Sequence, residues 1–288
     1  MNDYIIYTDS ACDLNIDTLA KWGVKYIELS FSFVSEEKNY LNYSLKSKEF
    51  YDRMRDGEVA KTSAVNVDAF KVAFKEELIK GKDILYLGFS SGLSGTYNAS
   101  RIAAEELSKE FPERKIITVD TLCASAGFGM LLFLTVEEKN KGADILAAAK
   151  FAEQTKLSIC HWFTVDDLVY LKRGGRISSA TALVGGILGI KPVLHMDNEG
   201  HLINVTKVRG RKAAIKALAD KFGELAIDSS EGPVFLCHAD CEADVEYLKK
   251  LIFESYGVRV GIVADIGPVI GAHAGPGTIA VFFKGKER

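Results

Sequence analysis

The stretch that decides the fold lies between a predicted strand and a predicted helix, and it reads Gly88-Phe89-Ser90-Ser91-Gly92-Leu93-Ser94-Gly95-Thr96-Tyr97. Glycines at such a junction let the backbone turn sharply and approach a ligand closely. The free N–H groups at the start of the following helix, together with the Ser94 and Thr96 hydroxyls, favour a bound anion. Simple capping of the helix by these side chains is the alternative interpretation.

On both sides of this segment, apolar β-rich runs alternate with helical periodicity, a pattern typical of βαβ units in a parallel or mixed sheet. The first half predicts strands at 4–7, 24–29, 84–89 and 115–119. It also predicts a helix that begins near Leu14 and is capped by Asp13, and further helices at 46–55, 67–79, 96–110, 124–139 and 144–155. The second half predicts a short helix after 164, a small-residue helix at 178–188, a hairpin from 192–196 and 201–208, helices at 211–225 and 243–254, and strands at 234–238 and 259–263. We therefore expect an α/β fold, with an N-terminal parallel-sheet domain (1–160), a C-terminal mixed-sheet domain (161–288) and a ligand pocket between them.

Composition narrows the class of protein. A chain of 288 residues with 48% hydrophobic side chains can bury a core in each of two domains. The net charge of −3 gives no argument for nucleic-acid binding. No apolar run approaches the ~18 residues of a membrane span, and the start of the chain enters a strand pattern without a signal-peptide core. Five cysteines suit a reducing compartment, so a cytoplasmic protein is expected.

Two further segments carry candidate site residues. Thr62 and Ser63 precede the predicted helix at 67–79, where capping would also explain them. His273 lies in the glycine- and proline-rich segment 266–277, which predicts a rigid, closely packed loop. Its imidazole is either a satisfied core group or a donor to a carboxylate. The segment 237–241, with two cysteines, a histidine and an aspartate, lacks a second ligand pair at zinc spacing, so no metal site is predicted.

Two alternatives to ligand binding remain open at this point. Gly88-x-Ser90-x-Gly92 fits the nucleophile elbow of an α/β-hydrolase, and Asp265 and His273 follow in the required order, although residues 93–95 separate Ser90 from its helix. A structural or regulatory protein without a ligand is the other alternative. The basic segment 207–212 is either a solvated helix start or a docking patch for an acidic partner, with Arg209 and Arg211 as the candidates.

Several long motifs, in one order along almost the whole chain, resemble the DegV family, whose better-understood members are fatty-acid-binding subunits of bacterial fatty acid kinase. The motifs are Thr8-Asp9-Ser10 with Asp13-Leu14, residues 90–97, Val119-Asp120-Thr121, Tyr170-Leu171-Lys172-Arg173-Gly174-Gly175-Arg176-Ile177-Ser178, Ile190-Lys191-Pro192 and His273-Ala274-Gly275-Pro276-Gly277. One departure is that the family usually reads Thr-Ser-Gln-Pro where this chain has Thr62-Ser63-Ala64-Val65.

The resemblance implies that a long-chain fatty acid is the bound ligand, with no other cofactor, and that its tail lies in a tunnel between the two domains. It implies that Thr62 and Ser94 hold the carboxylate, with Gly95 and His273 beside them. Ser63, Ser91 and Arg176 are expected to support this site. The partner implied is a separate kinase subunit that phosphorylates the bound acid, with at most transient membrane contact and no catalysis by this chain alone. Chain-length preference would depend on packing of tunnel residues such as Phe31, Phe33, Phe128, Leu183 and Leu188.

Physical chemistry is consistent with such a site. Burial of a C16 tail gains up to ~10 kcal/mol at ~0.8 kcal/mol per methylene, before association costs reduce it. An unpaired buried carboxylate costs several kcal/mol, so hydroxyl and backbone donors are required. Neutral donors would leave the carboxylate nucleophilic enough for phosphorylation, whereas a directly paired arginine would hold it as a stable ion pair. We therefore expect Arg176 to act beside the carboxylate rather than on it.

Overall fold

The computed structural model of the protein describes residues 3–177, 189–227 and 232–288, and it arranges their strands in three sheets. The strands are β1 Tyr4–Asp9, β2 Val24–Ile27, β3 Ser30–Phe33, β4 Asn39–Leu41, β5 Ala60–Ser63, β6 Asp83–Gly88, β7 Ile116–Asp120, β8 Ile159–Thr164, β9 Ile190–Met196, β10 Leu202–Arg209, β11 Phe235–His238, β12 Ile262–Asp265 and β13 Ile279–Lys284. The helices are α1 Ile16–Lys21, α2 Ser47–Arg55, α3 Val67–Leu78, α4 Thr96–Glu110, α5 Ser125–Asn140, α6 Ile145–Thr155, α7 Val169–Arg173, α8 Arg211–Leu225, α9 Glu242–Tyr256 and α10 Pro268–Ala274.

The first sheet is parallel, with strand order β2-β1-β6-β7. The chain leaves β1 toward one edge and returns at β6 toward the other, so the order reverses between these two strands. Crevices at the carboxyl ends of strands beside such a reversal are where open α/β sheets bind ligands. The segment that follows β6 is the glycine- and serine-rich stretch 88–97, which this topology therefore places at the predicted binding edge.

Asp9 holds the β1 and β6 ends together. One carboxylate oxygen accepts the Tyr86 hydroxyl at 2.6 Å and the Phe89 N–H at 2.9 Å, and the other accepts the Ala11 N–H at 3.1 Å. The residue is fully buried, and this burial raises the pKa of Asp9 to about 6. Its three donors fix the backbone where β6 turns into the 88–97 segment.

The second sheet is mixed and has the order β10-β9-β8-β13-β11-β12, in which only β11 and β12 pair in parallel. The third is a small antiparallel sheet, β4-β3-β5, which brings Thr62 opposite Phe31. Strands β8 and β13, the whole small sheet and helix α10 are elements that the sequence did not predict. The predicted α/β class, with one parallel and one mixed sheet, is confirmed; the predicted helix at 178–188 lies outside the described residues.

Two local predictions need correction. The segment 266–277 contains a helix, α10, rather than a loop, because Pro268 begins it and small residues let it pack tightly: a Cβ at Gly271 would lie 2.3 Å from the Tyr51 hydroxyl oxygen. Asp13 was expected to cap the first helix, but Asn15 does so by accepting the Thr18 N–H at 2.8 Å. Asp13 is instead buried, with φ of 52°, and faces the C-terminal half of the chain.

Candidate functional site

One cavity brings together Thr62, Ser94, Gly95, Arg176 and His273, five residues that are far apart in the sequence. It has about 940 Å³ of empty space including its mouth. Most of its other described lining side chains are apolar and come from both halves of the chain, among them Leu29, Phe89, Phe163, Leu171, Met196 and Phe282. The cavity thus combines a polar group of residues with an extended apolar wall.

Thr62 and His273 meet directly, with 2.8 Å between Thr62 Oγ1 and His273 Nε2. Burial, aided by the positive charge of Arg176, lowers the pKa of His273 to about 4, so the ring is neutral at pH 7 and carries one N–H. Among the described residues nothing hydrogen-bonds His273 Nδ1, which lies against Gly174. The tautomer that leaves no buried N–H unsatisfied has its proton on Nε2, donates it to Thr62 and frees the Thr62 O–H for a ligand.

Ser94 reaches the same arrangement through a different neighbour. Its Oγ accepts the Thr96 N–H at 3.2 Å and lies 2.9 Å from Thr96 Oγ1. Thr96 Oγ1 in turn accepts the Val65 N–H at 3.3 Å. With the Thr96 hydroxyl donating to Ser94, the Ser94 O–H is also available to a ligand. Ser94 therefore caps the start of α4 and lines the cavity, so the two sequence interpretations are compatible.

The Val65 contact gives the Ala64-Val65 departure a structural meaning. Val65 follows β5 and Thr96 begins α4, so this hydrogen bond ties the Thr62 segment to the Ser94 segment. A proline at position 65 has no N–H and could not make the bond. Ala64 itself lines the cavity. The substitution thus joins the two hydroxyl-bearing segments while changing one wall of the pocket.

Arg176 is the one described cavity residue with a permanent charge, and the backbone uses part of its guanidinium. Nε donates to the Leu93 carbonyl at 3.1 Å and Nη1 donates to the Gly174 carbonyl. Burial lowers its pKa from the usual value. Arg176 therefore steadies both the 88–97 segment and the Gly174 turn behind His273.

Two predicted supporting residues do not reach the cavity. Ser63 and Ser91 are exposed, Ser63 because successive residues of a strand point to opposite faces and Thr62 takes the inner one. Three predicted tunnel residues also lie elsewhere: Phe31, Phe33 and Phe128 are fully buried in the core and do not line the cavity. Leu183 and Leu188 lie outside the described residues.

The hydrolase alternative is wrong, because its three residues do not meet. Ser90 is fully buried and donates its hydroxyl to the Gly200 carbonyl at 2.9 Å. His273 contacts Thr62 rather than Ser90. Asp265 is mostly exposed, and its carboxylate lies 3.4 Å from His238 Nε2.

The two predicted docking residues, Arg209 and Arg211, differ in their exposure and contacts. Arg209 is exposed at the end of β10. Arg211 is mostly buried: its Nε donates to Asp244 at 2.8 Å, its Nη2 donates to the Gly277 carbonyl at 2.5 Å, and its Nη1 lies 3.5 Å from Asp166. Arg211 therefore holds the segment that follows α10, which corrects its prediction as a free docking residue, while Arg209 remains available.

Sequence reasoning missed other polar residues that line the cavity. Ser125 and Cys237 both line it, with 3.3 Å between Oγ and Sγ, and Ser125 donates to Asp13 at 2.5 Å. Ser125 has φ of 53°, an uncommon conformation outside glycine. The presence of Asp13 in the first sequence motif was the available signal for this cluster. Its partners, Ser125 and Gly267, are more than 100 positions away in the sequence.

The chain is similar to one family of known proteins over almost its whole length. The pattern of the family described as "Uncharacterised protein, DegV family" matches residues 4–286. The chain belongs to the DegV family. A DegV domain-containing protein of Clostridium perfringens is 41% identical over 289 residues, which cover 100% of this chain and 99% of that protein.

Solved DegV structures share the fold. A DegV lipid binding protein from Thermotoga maritima superposes with a TM-score of 0.86 and 33% identity, covering 99% of each chain. A stearic acid-binding protein from Eubacterium ventriosum gives a TM-score of 0.89 at 26% identity, covering 98% of each chain. A fatty-acid-binding DegV family protein from Thermus thermophilus gives 0.86 at 28% identity, covering 99% of this chain and 100% of its own.

Residues 3–177, 189–227 and 232–288 contain no cluster of three or more His, Cys, Asp or Glu side chains arranged to hold a metal ion. In the same ranges no helix has both the length and the apolar character to cross a bilayer.

Substitution of Gly174 tests whether the site depends on the seating of His273. Gly174 has ordinary helical φ and ψ, but a Cβ there would lie 2.0 Å from His273 Nδ1. We expect Gly174→Ala to push the imidazole away from Thr62 and to lower the free energy of unfolding by about 1–3 kcal/mol, because the added methyl group overpacks the site and a buried hydrogen bond is lost. Urea unfolding followed by circular dichroism measures this, with Gly232→Ala, whose added Cβ meets open space, as the control. Equal stability of the two variants would contradict the prediction.

Arg211 and Arg209 are expected to differ in their contribution to stability. Arg211→Ala leaves Asp244 and the Gly277 carbonyl without their partner, so the free energy of unfolding should fall by about 2–4 kcal/mol. Arg209→Ala removes an exposed side chain and should change it by less than about 0.5 kcal/mol. Urea unfolding followed by circular dichroism compares the two, and a loss of stability in Arg209→Ala as large as in Arg211→Ala would show that the two arginines are not distinct.

Proposed function

We propose that this chain binds one long-chain fatty acid, with the carboxylate at Thr62 and Ser94 and the tail along the apolar wall. The observation that carries the proposal is the convergence of two hydroxyl donors from separate segments on one largely apolar cavity. DegV-family proteins that are 26–33% identical to this chain are described as lipid- or fatty-acid-binding, which supports it.

The donor set suits a carboxylate. Gly95 lies directly before α4, so the first N–H groups of that helix, whose dipole favours an anion, begin beside the two hydroxyls. His273 orients Thr62 without a charge of its own, and Arg176 directs donors to the backbone. These neutral contacts satisfy a buried anion but do not lock it in an ion pair.

We further propose that the bound acid is presented to a separate kinase subunit, which would form the acyl phosphate, and that this chain performs no catalysis of its own. A carboxylate held by neutral donors keeps its nucleophilicity, which a phosphoryl acceptor requires. Gly95 lines the cavity and is exposed, so the cavity reaches the surface beside Ser94. The exposed Arg209 is the remaining docking candidate from the basic segment. The division into a carboxylate-binding unit (1–160) and a tunnel-covering unit (161–288) belongs to the same proposal.

Ligand retention tests the binding proposal. Protein purified under native conditions and denatured for mass spectrometry should release about one equivalent of fatty acid. Thr62→Ala and Ser94→Ala should each weaken rebinding of palmitic acid by about 10–100-fold, because each removes one hydrogen bond to a charged group. The adjacent Ser63→Ala removes an exposed hydroxyl from the same strand and is the matched control. Absence of lipid, together with unchanged affinity in both cavity variants, would refute the proposal.

The presentation step has its own test. Palmitate-loaded protein, ATP and the catalytic subunit of a bacterial fatty acid kinase should yield acyl phosphate, trapped by hydroxylamine, only when all components are present. Arg209→Glu should lower the rate about tenfold or more by opposing an acidic docking surface, while palmitate affinity stays within about twofold. Charge reversal of Lys250, an exposed lysine of α9, is the control. Turnover by this chain and ATP alone, or an unchanged rate with Arg209→Glu, would count against this step.

A further inference from the structure

Helix α10, which carries His273, is held at its start by three buried hydrogen bonds from the N-terminal half. Asp13 Oδ1 accepts the Gly267 N–H at 2.9 Å, and Asn42 Oδ1 accepts the Val269 N–H at 3.0 Å. The Tyr51 hydroxyl donates to the Ile266 carbonyl at 2.8 Å. The first N–H groups of a helix have no partner inside it, so these side chains from another part of the chain act as its cap.

Asp13 differs from the other two because its second oxygen leads to the cavity. Asp13 Oδ2 accepts the Ser125 hydroxyl at 2.5 Å, and Ser125 lines the cavity at the start of α5. Asp13 is only 5% exposed, and the described residues offer it no salt bridge. One buried carboxyl group thus connects the cavity wall to the helix that presents His273 to Thr62.

We propose that Asp13 is a positioning residue of the carboxylate site, which holds His273 at hydrogen-bond distance from Thr62 by fixing Gly267 and Ser125 at once. The proposal rests on the fatty-acid-binding function proposed above. Its geometric basis is that the Thr62–His273 contact joins the two halves of the chain, so it requires α10 to sit at one depth against the N-terminal half. Asp13 lies in the opposite half and contacts the backbone at Gly267, the residue directly before that helix.

The protonation state of Asp13 supplies a signature that a purely structural contact lacks. Burial, together with the charges of Asp265 and Asp9, raises the pKa of Asp13 to about 8, against the lowering by Ser125 and Gly267. The other titratable groups that face Asp13 have pKa values that burial raises: Cys12, Tyr43, Tyr51 and Cys237. Two lysines, Lys46 and Lys48, also line the groove beside Asp13, and Lys48 pairs with Asp52.

The sign of the pH effect follows from this shift. The folded state keeps a proton on Asp13 that the unfolded state loses near pH 4, so the stability from this group falls as pH rises toward and through about 8. Asp9 acts in the same direction but only up to its pKa of about 6, and the lowered pKa of His273 acts below about 6.5. Between pH 7 and 9 the buried cysteines, whose pKa values burial also raises, act in the same direction, so comparison with Asp13→Asn is needed to isolate the part that belongs to Asp13. In that window a buried negative charge also develops at Asp13, directly behind Ser125 of the cavity wall.

The variant Asp13→Asn keeps the shape of the side chain but cannot become charged. An amide can accept from Gly267 through its oxygen and donate to Ser125 through its nitrogen, so affinity for palmitic acid at pH 7 should stay within about threefold of the original chain. From pH 7 to 9 the original chain should lose about threefold to tenfold in affinity, since one pKa unit of coupling corresponds to tenfold, and Asp13→Asn should lose none of this. Asp56→Asn, at an exposed position, is the control and should keep the original pH profile.

A ligand-free measurement keeps this proposal distinct from the binding proposal. In delipidated protein with labelled histidine, the His273 Nε2–H bonded to Thr62 should give a slowly exchanging imidazole proton signal, which persists in Asp13→Asn and is lost in Asp13→Ala. Persistence of that signal in a folded Asp13→Ala, or an Asp13→Asn pH profile identical to the original, would overturn the positioning role. If Asp13→Ala does not fold, the Asn profile decides. Failure of the original chain to bind palmitic acid would instead remove the fatty-acid proposal, and the imidazole signal would still test Asp13.

Discussion

The hydrogen bond between Thr62 and His273 is the contact on which the site depends, because it joins residues 211 positions apart. It forms only when α10 packs closely against the N-terminal half, and two glycines make that approach possible. Gly271 leaves room for Tyr51, and Gly174 leaves room for the imidazole itself. A methyl group at either position would occupy space that the neighbouring side chain fills. The site is therefore a property of the packed chain as a whole rather than of any one motif.

The electrostatics of the cavity favour an anion without trapping it. Its candidate donors are the start of a helix and two hydroxyls, one oriented by the neutral imidazole of His273 and the other by Thr96, while the guanidinium of Arg176 is turned to backbone carbonyls. In a buried setting such dipoles stabilise negative charge because they are already oriented. The same logic explains why the pKa of His273 is low: a second positive charge beside Arg176 in this dry region would be costly.

The sequence was informative where local pattern decides structure. Periodicity predicted α4 to the residue, and the hairpin of β9 and β10 and most of the parallel sheet were placed within a few residues. The small sheet was missed because its strands are three or four residues long and the pairs lie up to 33 positions apart, as Ser30 and Ser63 do. Helix α10 was missed because glycines and prolines dominate the segment 266–277. Gly271 permits close packing against Tyr51, which no local pattern reveals. Motif resemblance selected residues that line one cavity at Thr62, Ser94 and His273, but could not tell that Ser63 and Ser91 face outward.

Residues that line the apolar part of the cavity are also members of the hydrophobic core, among them Leu29, Phe163, Leu171 and Met196. A fatty acid tail in this position would contact the same side chains that hold the parallel and mixed sheets together. Binding to the folded state alone stabilises it in proportion to the logarithm of ligand concentration over the dissociation constant. Release of the tail would require these core contacts to separate, whereas the proposed carboxylate position at Thr62 and Ser94 would lie beside the exposed Gly95. Such an asymmetry favours a protein that retains its ligand while offering the headgroup to a second protein, because access to the carboxylate does not demand that the core open.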